Sequence, residues 1–422
     1  MGAVFAMVAN RALAPYSKRG AEEWVREDVA LEPIALHHLY RAMDVLLDQR
    51  ERIHEEVFFA VADLLNLEVD LLFFDTTSTY LETEDEGELK KYGHSKDHRS
   101  DLPQIVIGLA VTKEGIPVKC WVLPGNTSDM KTVERVKDDV REWHLSRCVW
   151  VMDRGMSSEE NRVILQKAGG RYIIGEKLRD DAEVHEEVLS RKGRYRKVRE
   201  NLEVKEVIVG EGERRRRFVI VYNPDEAERD RHNREAILKK AEEAIHALKG
   251  QEHAKRVCEI LSHKTMGRYL RQQKNGAPKI DRAKTKKEEH LDGKHILSAS
   301  DDSLSLEDVA LGYKQLMEVE RAFKTLKTTL DLRPVYHRKD ERITSHVFLC
   351  FLALLLVRTA ERKTGITWDK IRSTMDRLHL GEFTSRDGKV LQTTEFTPEQ
   401  QNSLKQLDIA LPRRVQSVQT TP

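Results

Sequence analysis

Near residue 69 the hydrophobic period of this chain changes, and that change narrows the folds open to it more than any other feature. Upstream, apolar residues recur at helical spacing: Ala21-Glu-Glu-Trp-Val opens one segment, residues 36–47 form a second, and residues 51–65 continue in the same style. From Val69 the pattern is strand-like. Val69-Asp-Leu-Leu-Phe-Phe74 is a short run of strand formers ending at Asp75. Residues 104–112 and 116–122 are two further runs separated by Lys113-Glu-Gly115, which predicts a hairpin.

The chain then alternates. Residues 129–143 read as a helix capped within Thr127-Ser-Asp129, and Cys148-Val-Trp-Val-Met152 as a buried strand ending at Asp153. Residues 157–167 read as a helix capped by Ser157 or Ser158, and Arg171-Tyr-Ile-Ile-Gly175 as a fifth strand. Strand, hairpin, helix, strand, helix, strand is the order of a ribonuclease-H-like core without its last helix. Residues 306–330 supply that helix after a long insertion, in which residues 204–209, 217–222 and 295–298 read as strands and residues 226–248 as a charged helix. The expected fold is therefore α/β: a ribonuclease-H-like mixed sheet flanked by helices and interrupted by a strand-and-helix insertion, with helical N-terminal and C-terminal regions. The expected division is a helical N-terminal region (1–66), a core in two parts (67–176 and 301–360), an insertion (177–300), and a C-terminal helical region with a weakly patterned tail (361–422).

Charged residues make up 34% of the 422-residue chain and aromatic ones only 6%, the composition of a soluble, cytoplasmic protein. The longest apolar run, residues 347–357, is too short to span a bilayer and reads as a buried helix. The amino terminus lacks the basic start of a secretory signal. Cys120, Cys148, Cys258 and Cys350 are scattered without metal-ligand spacing, as expected of reduced thiols. The net charge of +1 announces no polyanionic partner, but basic residues cluster at Arg191-Lys-Gly-Arg-Tyr-Arg-Lys-Val-Arg199, at Arg214-Arg-Arg-Arg217, and at Lys279, Arg282, Lys284, Lys286 and Lys287. Such runs suit a phosphate backbone and a solvated surface equally well.

On a helical period Tyr313, Leu316, Glu320, Phe323 and Lys327 share one stripe, mixing core residues with a carboxylate and an ammonium. Either the two charges neutralise each other at the stripe's edge, or they line a site. Asp75 and Asp153 tip the balance. Each ends an apolar strand, and in the inferred order those strands lie side by side and parallel, so both carboxylates emerge at one edge facing Glu320. Three acids brought together need a divalent cation, and carboxylate oxygens suit Mg²⁺ or Mn²⁺, two of which can act together on a phosphate.

These residues resemble insertion-sequence transposases of the DDE class, in the bacterial subgroup marked by Tyr-x2-Arg-x3-Glu-x6-Lys. Tyr313, Glu320 and Lys327 match that spacing, Leu72-Phe-Phe-Asp75-Thr-Thr-Ser-Thr-Tyr80 resembles the first motif, and Asp153-Arg-Gly-Met-Ser157 running on to Tyr172-Ile-Ile-Gly175 resembles the second. Gly93-His-Ser-Lys-Asp-His-Arg-Ser-Asp-Leu-Pro-Gln104, Gly125-Asn-Thr-Ser-Asp129 and Arg333-Pro-Val-Tyr-His337 fit the same family. The resemblance spans roughly residues 9–410. It implies that Asp75, Asp153 and Glu320 hold two Mg²⁺ (or Mn²⁺) ions, that water cuts the transposon end, and that the released 3′ hydroxyl attacks target DNA. It implies double-stranded DNA as partner, both terminal inverted repeats and target, and a homodimer on that DNA. Tyr313 and Lys327 would contact phosphates beside the scissile bond. Lys96 and Arg99, and also Arg154, Arg321 and Lys324, are further DNA-contact candidates, with a local ion pair as the alternative for the loop holding Lys96, Asp97 and Arg99.

Three departures stand out. Leu316 occupies the position where the family has Arg. The insertion has no Trp on which a flipped base could stack, leaving Tyr195, Phe218, Tyr222 or Tyr269. The resemblance also begins almost at residue 1, as a shortened reading frame would. The rival expectations are a stand-alone metal-dependent nuclease of the same fold and a non-catalytic protein that binds transposon ends.

Overall fold

The computed structural model describes residues 2–29, 31–64, 71–140, 148–179, 187–212, 215–248, 254–386 and 388–420. Leu65, Val69, Asp70, Trp143 and Arg214, which the expected elements include, lie outside them. The chain forms two compact units: residues 1–151, 168–170 and 315–422 make the first, and residues 152–167 and 171–314 the second.

In the first unit, α1 (Gly2–Leu13), α2 (Lys18–Glu27), α3 (Leu36–Asp48) and α4 (Arg50–Leu64) precede β1 (Leu71–Tyr80), β2 (Gln104–Thr112), β3 (Pro117–Pro124), α5 (Asp129–Asp139) and β4 (Val149–Met152). The sheet order is β3-β2-β1-β4. The hairpin is present as expected, antiparallel from Ile105↔Pro124 to Val111↔Pro117, and β2 also pairs antiparallel with β1. All of β2 is buried, which is why its sequence is almost unbroken apolar rather than alternating.

The second unit holds α6 (Glu159–Gln166), β5 (Arg171–Gly175), β6 (Arg196–Arg199), β7 (Leu202–Val209), β8 (Arg216–Tyr222), α7 (Pro224–His246), α8 (Ala254–Leu261), β9 (Leu270–Gln272), β10 (Pro278–Ile280), α9 (Arg282–Glu289), β11 (Lys294–Ala299) and α10 (Leu306–Lys314). Its strands run in the order β5-β11-β8-β7-β6, and β11 with β5, β11 with β8, β8 with β7 and β7 with β6 all pair antiparallel. Val188, Val207, Val209, Phe218, Ile220 and Ile296 form the core of the insertion. Helix starts follow local chemistry: the Ser158 hydroxyl accepts from Asn161 N–H, and the Asn223 amide oxygen accepts from the next two N–H groups with Pro224 at the first helical position.

The chain returns to the first unit with α11 (Met317–Thr328), α12 (Asp340–Thr364), α13 (Trp368–Met375), β12 (Leu380–Ser385), β13 (Gly388–Thr393), α14 (Pro398–Gln406) and β14 (Val415–Thr420). The apolar run at 347–357 is the middle of α12. By length and composition alone this helix could cross a membrane, yet 72% of its most apolar window is buried inside the fold. It is the axis of the first unit. α1 and α3 pack against it, the Ser345 hydroxyl donates to Met43 C=O, and the Trp368 indole donates to Ala12 C=O at 2.9 Å.

The element order, three antiparallel strands, helix, strand, helix, strand, then helices beyond an insertion, is the expected ribonuclease-H-like α/β class. Three details depart from expectation. Residues 306–330 are two helices, because the chain breaks at Gln315 and Leu316 between α10 and α11. Strand β1 continues to Tyr80, so Asp75 lies in its middle, paired with Leu109, and does not end it. The C-terminal region keeps its helices but adds the antiparallel sheet β12-β13-β14, whose apolar row Phe383↔Val390↔Val418 is too widely spaced in sequence to show as a pattern.

Two packing features carry predictions. A Cβ on Gly125 would sit 2.0 Å from Gln104 C=O and 2.4 Å from Lys91 C=O, and one on Gly93 would sit 2.2 Å from Gly125 C=O. Backbone cannot give way as a side-chain end can, so Gly125→Ala should destabilise the fold by about 2 kcal/mol or more, and an unchanged thermal midpoint would contradict this packing. His54 of α4 is fully buried against β3, edge-on to Phe348 and Phe351 of α12, and its ring Nε2 accepts from Cys120 N–H at 3.3 Å. Burial, with Lys119 nearby, lowers its imidazole from 6.5 to about 3. The fold holds the neutral ring while the unfolded chain takes up a proton below 6.5. The stability it contributes is thus full above pH 6.5 and lost as pH falls toward 3. Denaturant midpoints measured across that window should fall less steeply for His54→Gln than for the unaltered chain.

Candidate active site

In the first unit, the loop between β1 and β2 organises the surroundings of Asp75. Side chains alternate along a strand, so Asp75 shares a face with Phe73 and Thr77, and Thr76 the opposite one. Asp75 Oδ1 accepts from the following Thr76 N–H at 2.7 Å. Thr76 Oγ1 donates to the Asp129 carboxylate, whose place at the first residue of α5 favours negative charge. Lys96 Nζ donates to Thr76 C=O at 2.9 Å and Thr76 Oγ1 at 3.0 Å, and pairs with Asp129 Oδ2 at 3.3 Å. The next residue, Asp97, has a side chain only 2% exposed and accepts from Lys327 Nζ at 2.7 Å and from the Arg333 guanidinium. Arg99 pairs with both oxygens of Asp101 and lies 4.8 Å over the Tyr80 ring. Lys96, Asp97 and Arg99 thus each have a partner of opposite charge.

Helix α11 packs on β1 and β2 through Val319, Ala322, Phe323 and Leu326, leaving Glu320 exposed. Leu316 is buried at its start, so the position expected to carry Arg belongs to the core. Arg321 pairs with Glu318 at 2.7 Å one turn back, and Lys324 is exposed. Burial pushes the Lys327 ammonium below its usual range, with Asp97 opposing the shift.

In the second unit, Asp153 follows β4 directly and caps a single turn, Arg154–Met156, in which Arg154 is exposed. The Tyr313 hydroxyl donates to Asp153 Oδ1 at 3.1 Å. Tyr313 reaches it across Gly175, where an added Cβ would stand 2.2 Å from the phenol oxygen and displace it. Behind this turn a buried ion pair ties α6 to the end of β5: Arg162 donates to both Glu176 oxygens at 2.8 and 2.7 Å, and the Ser157 hydroxyl joins at 3.0 Å. The Glu176 side chain is 0% exposed.

The structure thus brings Asp97, Lys327 and Arg333 together in one unit and Asp153 with Tyr313 in the other. Within either unit, no three His, Cys, Asp or Glu side chains among the described residues form a group spaced to hold a metal ion. The candidate donors Asp75, Asp153 and Glu320 are all carboxylates, hard oxygen ligands that suit Mg²⁺ or Mn²⁺ in kind. Sequence reasoning missed Asp129, Arg162, Glu176 and Arg333 as partners. Only the position of Asp129 at a helix start and of Arg333 inside a quoted motif offered a signal. Part of the basic run at 214–217 is spoken for by the fold: Arg215 pairs with Asp302, Arg216 with Glu159, and Arg217 with Glu206 and two backbone carbonyls. Cys120, Cys148 and Cys350 are buried and Cys258 is exposed.

No curated protein sequence matches the chain. Among solved structures, a piggyBac transposase synaptic complex with hairpin DNA is similar at TM-score 0.42 and 10% identity, over 89% of this chain and 69% of that one. The model of a protein family described as the transposase DDE domain matches residues 70–356, well over half of the chain. The chain therefore belongs to the DDE-domain transposase family.

Proposed function

We propose that this protein is a metal-dependent DNA transposase of the insertion-sequence subgroup with the Tyr-x2-Arg-x3-Glu-x6-Lys motif, cutting at transposon ends and joining the 3′ hydroxyls to target DNA. The observation that carries this reading is the pairing of the Tyr313 hydroxyl with Asp153 Oδ1, which joins two of the sequence motifs by a direct contact. Family membership supports the reaction class. Asp75, Asp153 and Glu320 would hold Mg²⁺ or Mn²⁺, two ions in the full scheme, which when bound supply activation of the attacking oxygen and stabilisation of the leaving one.

The side chains themselves have separate tasks. Tyr313 orients the Asp153 carboxylate by donating to one oxygen and leaves the other as a ligand. Lys327 on α11 offers a point charge for DNA phosphate, and Arg333 in the following loop pairs with the same Asp97 carboxylate. Lys96 fixes the backbone next to Asp75 rather than reaching outward. Arg99 and Arg321 each have an internal carboxylate partner, so DNA contact by either means exchanging it, whereas Arg154 and Lys324 are exposed. The partner is duplex DNA, the terminal repeats and then the target, held by a homodimer in the cytoplasm. The division into core parts 67–176 and 301–360 around an insertion at 177–300 belongs to the same proposal.

The test is cleavage of labelled DNA carrying the element's own flanking ends, by purified full-length chain with Mg²⁺, with Mn²⁺ or with chelator. Cuts at the repeat boundary should require metal, and Asp153→Asn should slow them at least about 1,000-fold, or about 4 kcal/mol of barrier. Binding of the ends without any cut would favour a non-catalytic end-binding protein, and cutting indifferent to the ends a plain nuclease.

A further inference from the structure

The Asp97 carboxylate has one cation too many. Lys327 Nζ and the Arg333 guanidinium both reach its Oδ1, while its Oδ2 is buried with no hydrogen-bond partner among the described residues. A buried carboxylate needs a charged partner to remain ionised, and one suffices. Of the two cations, Arg333 is the better permanent partner, because its planar fork can span both carboxylate oxygens and so satisfy Oδ2. Lys327 is the better traveller: a single ammonium on a flexible stem, which burial already disfavours where it rests. Lys96 also stands close enough to add to the repulsion on Lys327. The cluster is therefore net positive and attractive to a further anion.

We propose that Asp97 and Arg333 form a relay for Lys327: in the free protein Lys327 rests on Asp97, on DNA binding its ammonium moves to a backbone phosphate, and Arg333 stays behind to keep Asp97 paired. Arg333 is thus a positioning residue that makes Lys327 available. The inference rests on the transposase reading and adds to it the route by which a salt-bridged lysine reaches DNA. Only ion-pair partners are exchanged, and no bond or proton changes hands.

The relay makes a sign-reversing prediction. In Arg333→Gln the only cation left on Asp97 is Lys327, so end cleavage should fall roughly tenfold and the salt dependence of DNA binding should weaken by about one phosphate contact. Adding Asp97→Asn to that variant releases Lys327, and the double variant should recover cleavage to within about threefold of Asp97→Asn alone. Arg333→Lys, which keeps a cation on Asp97, should retain most activity. A purely structural role for the pair predicts the reverse, with the double variant no better than Arg333→Gln, and that result would overturn the relay. So would full activity in Arg333→Gln. If the unaltered chain does not cut the ends at all, the transposase reading itself fails, and the relay falls with it. Should the variants melt well below the unaltered chain, NMR of the Lys327 side chain in the unaltered protein decides. Its signal should shift on adding end DNA, and a signal that stays put counts against the relay.

Discussion

An ionised carboxylate cannot be sealed from water without a cation beside it, and much of the first unit's arrangement follows from how Asp97 meets that requirement. Its side chain is almost fully enclosed, and both of its partners come from sequence more than 200 residues away, Lys327 on α11 and Arg333 just beyond it. One residue earlier, Lys96 is bound to the backbone and hydroxyl of Thr76, the neighbour of Asp75. Two consecutive loop residues therefore fasten the strand that carries Asp75 to the helix that carries Glu320. Apolar packing of α11 on β1 and β2 holds the elements together without direction. The two ion pairs add direction, because removing either partner of a buried pair leaves an uncompensated charge. Gly93 and Gly125 serve the same loop by letting three backbone segments touch.

The second unit solves its problem with the same means. Its acidic residue of interest, Asp153, lies on a short turn, which by itself would be loosely held. The turn is held from behind by the enclosed Arg162–Glu176 pair and from the front by Tyr313, which passes over Gly175. The Ser157 hydroxyl joins the turn to Glu176. In each unit the candidate carboxylates are thus at least partly exposed, while the groups that support them are paired and several of them, such as Asp97 and Glu176, are enclosed. That division suits chemistry on a charged substrate, since rigidity comes from the supporting contacts and the acidic oxygens remain accessible.

Most of the fold was legible because the central strands β2, β4 and β5 are almost wholly buried and helices such as α6 and α7 open on polar caps. The runs at 104–112, 148–152 and 171–175 could be little else than interior strands, and the hairpin followed from the loop between two of them. What was not legible had local causes. Asp75 reads as a strand end because the apolar run stops there, yet Thr76, Thr77 and Thr79 are good strand formers and carry β1 on to Tyr80. The three-stranded sheet near the C-terminus hides because its strands mix polar and apolar residues and stay largely exposed. In the candidate site, the charged residues could be named from sequence, but their partners could not. Nothing along the chain links Asp97 to Arg333 or Arg162 to Glu176, since pairing across such distances is decided by the fold.

The Tyr313–Lys327 motif looks like one face of one helix, and its spacing of seven residues between Tyr313, Glu320 and Lys327 is the two-turn repeat that a continuous helix would line up. The helix is not continuous. It breaks at Gln315 and Leu316, and between Lys314 and Gln315 the chain passes from the second unit to the first. Tyr313 is therefore anchored with Asp153, while Glu320 and Lys327 remain two turns apart on α11. Read this way, the burial of Leu316 has a physical reason: at the first turn of α11 an apolar side chain secures the new helix where the old one ends. An arginine at the same place would have to leave the core or bring a buried partner with it, and Leu316 needs neither. Arg333, from the loop after α11, instead brings its guanidinium to the carboxylate that Lys327 also uses.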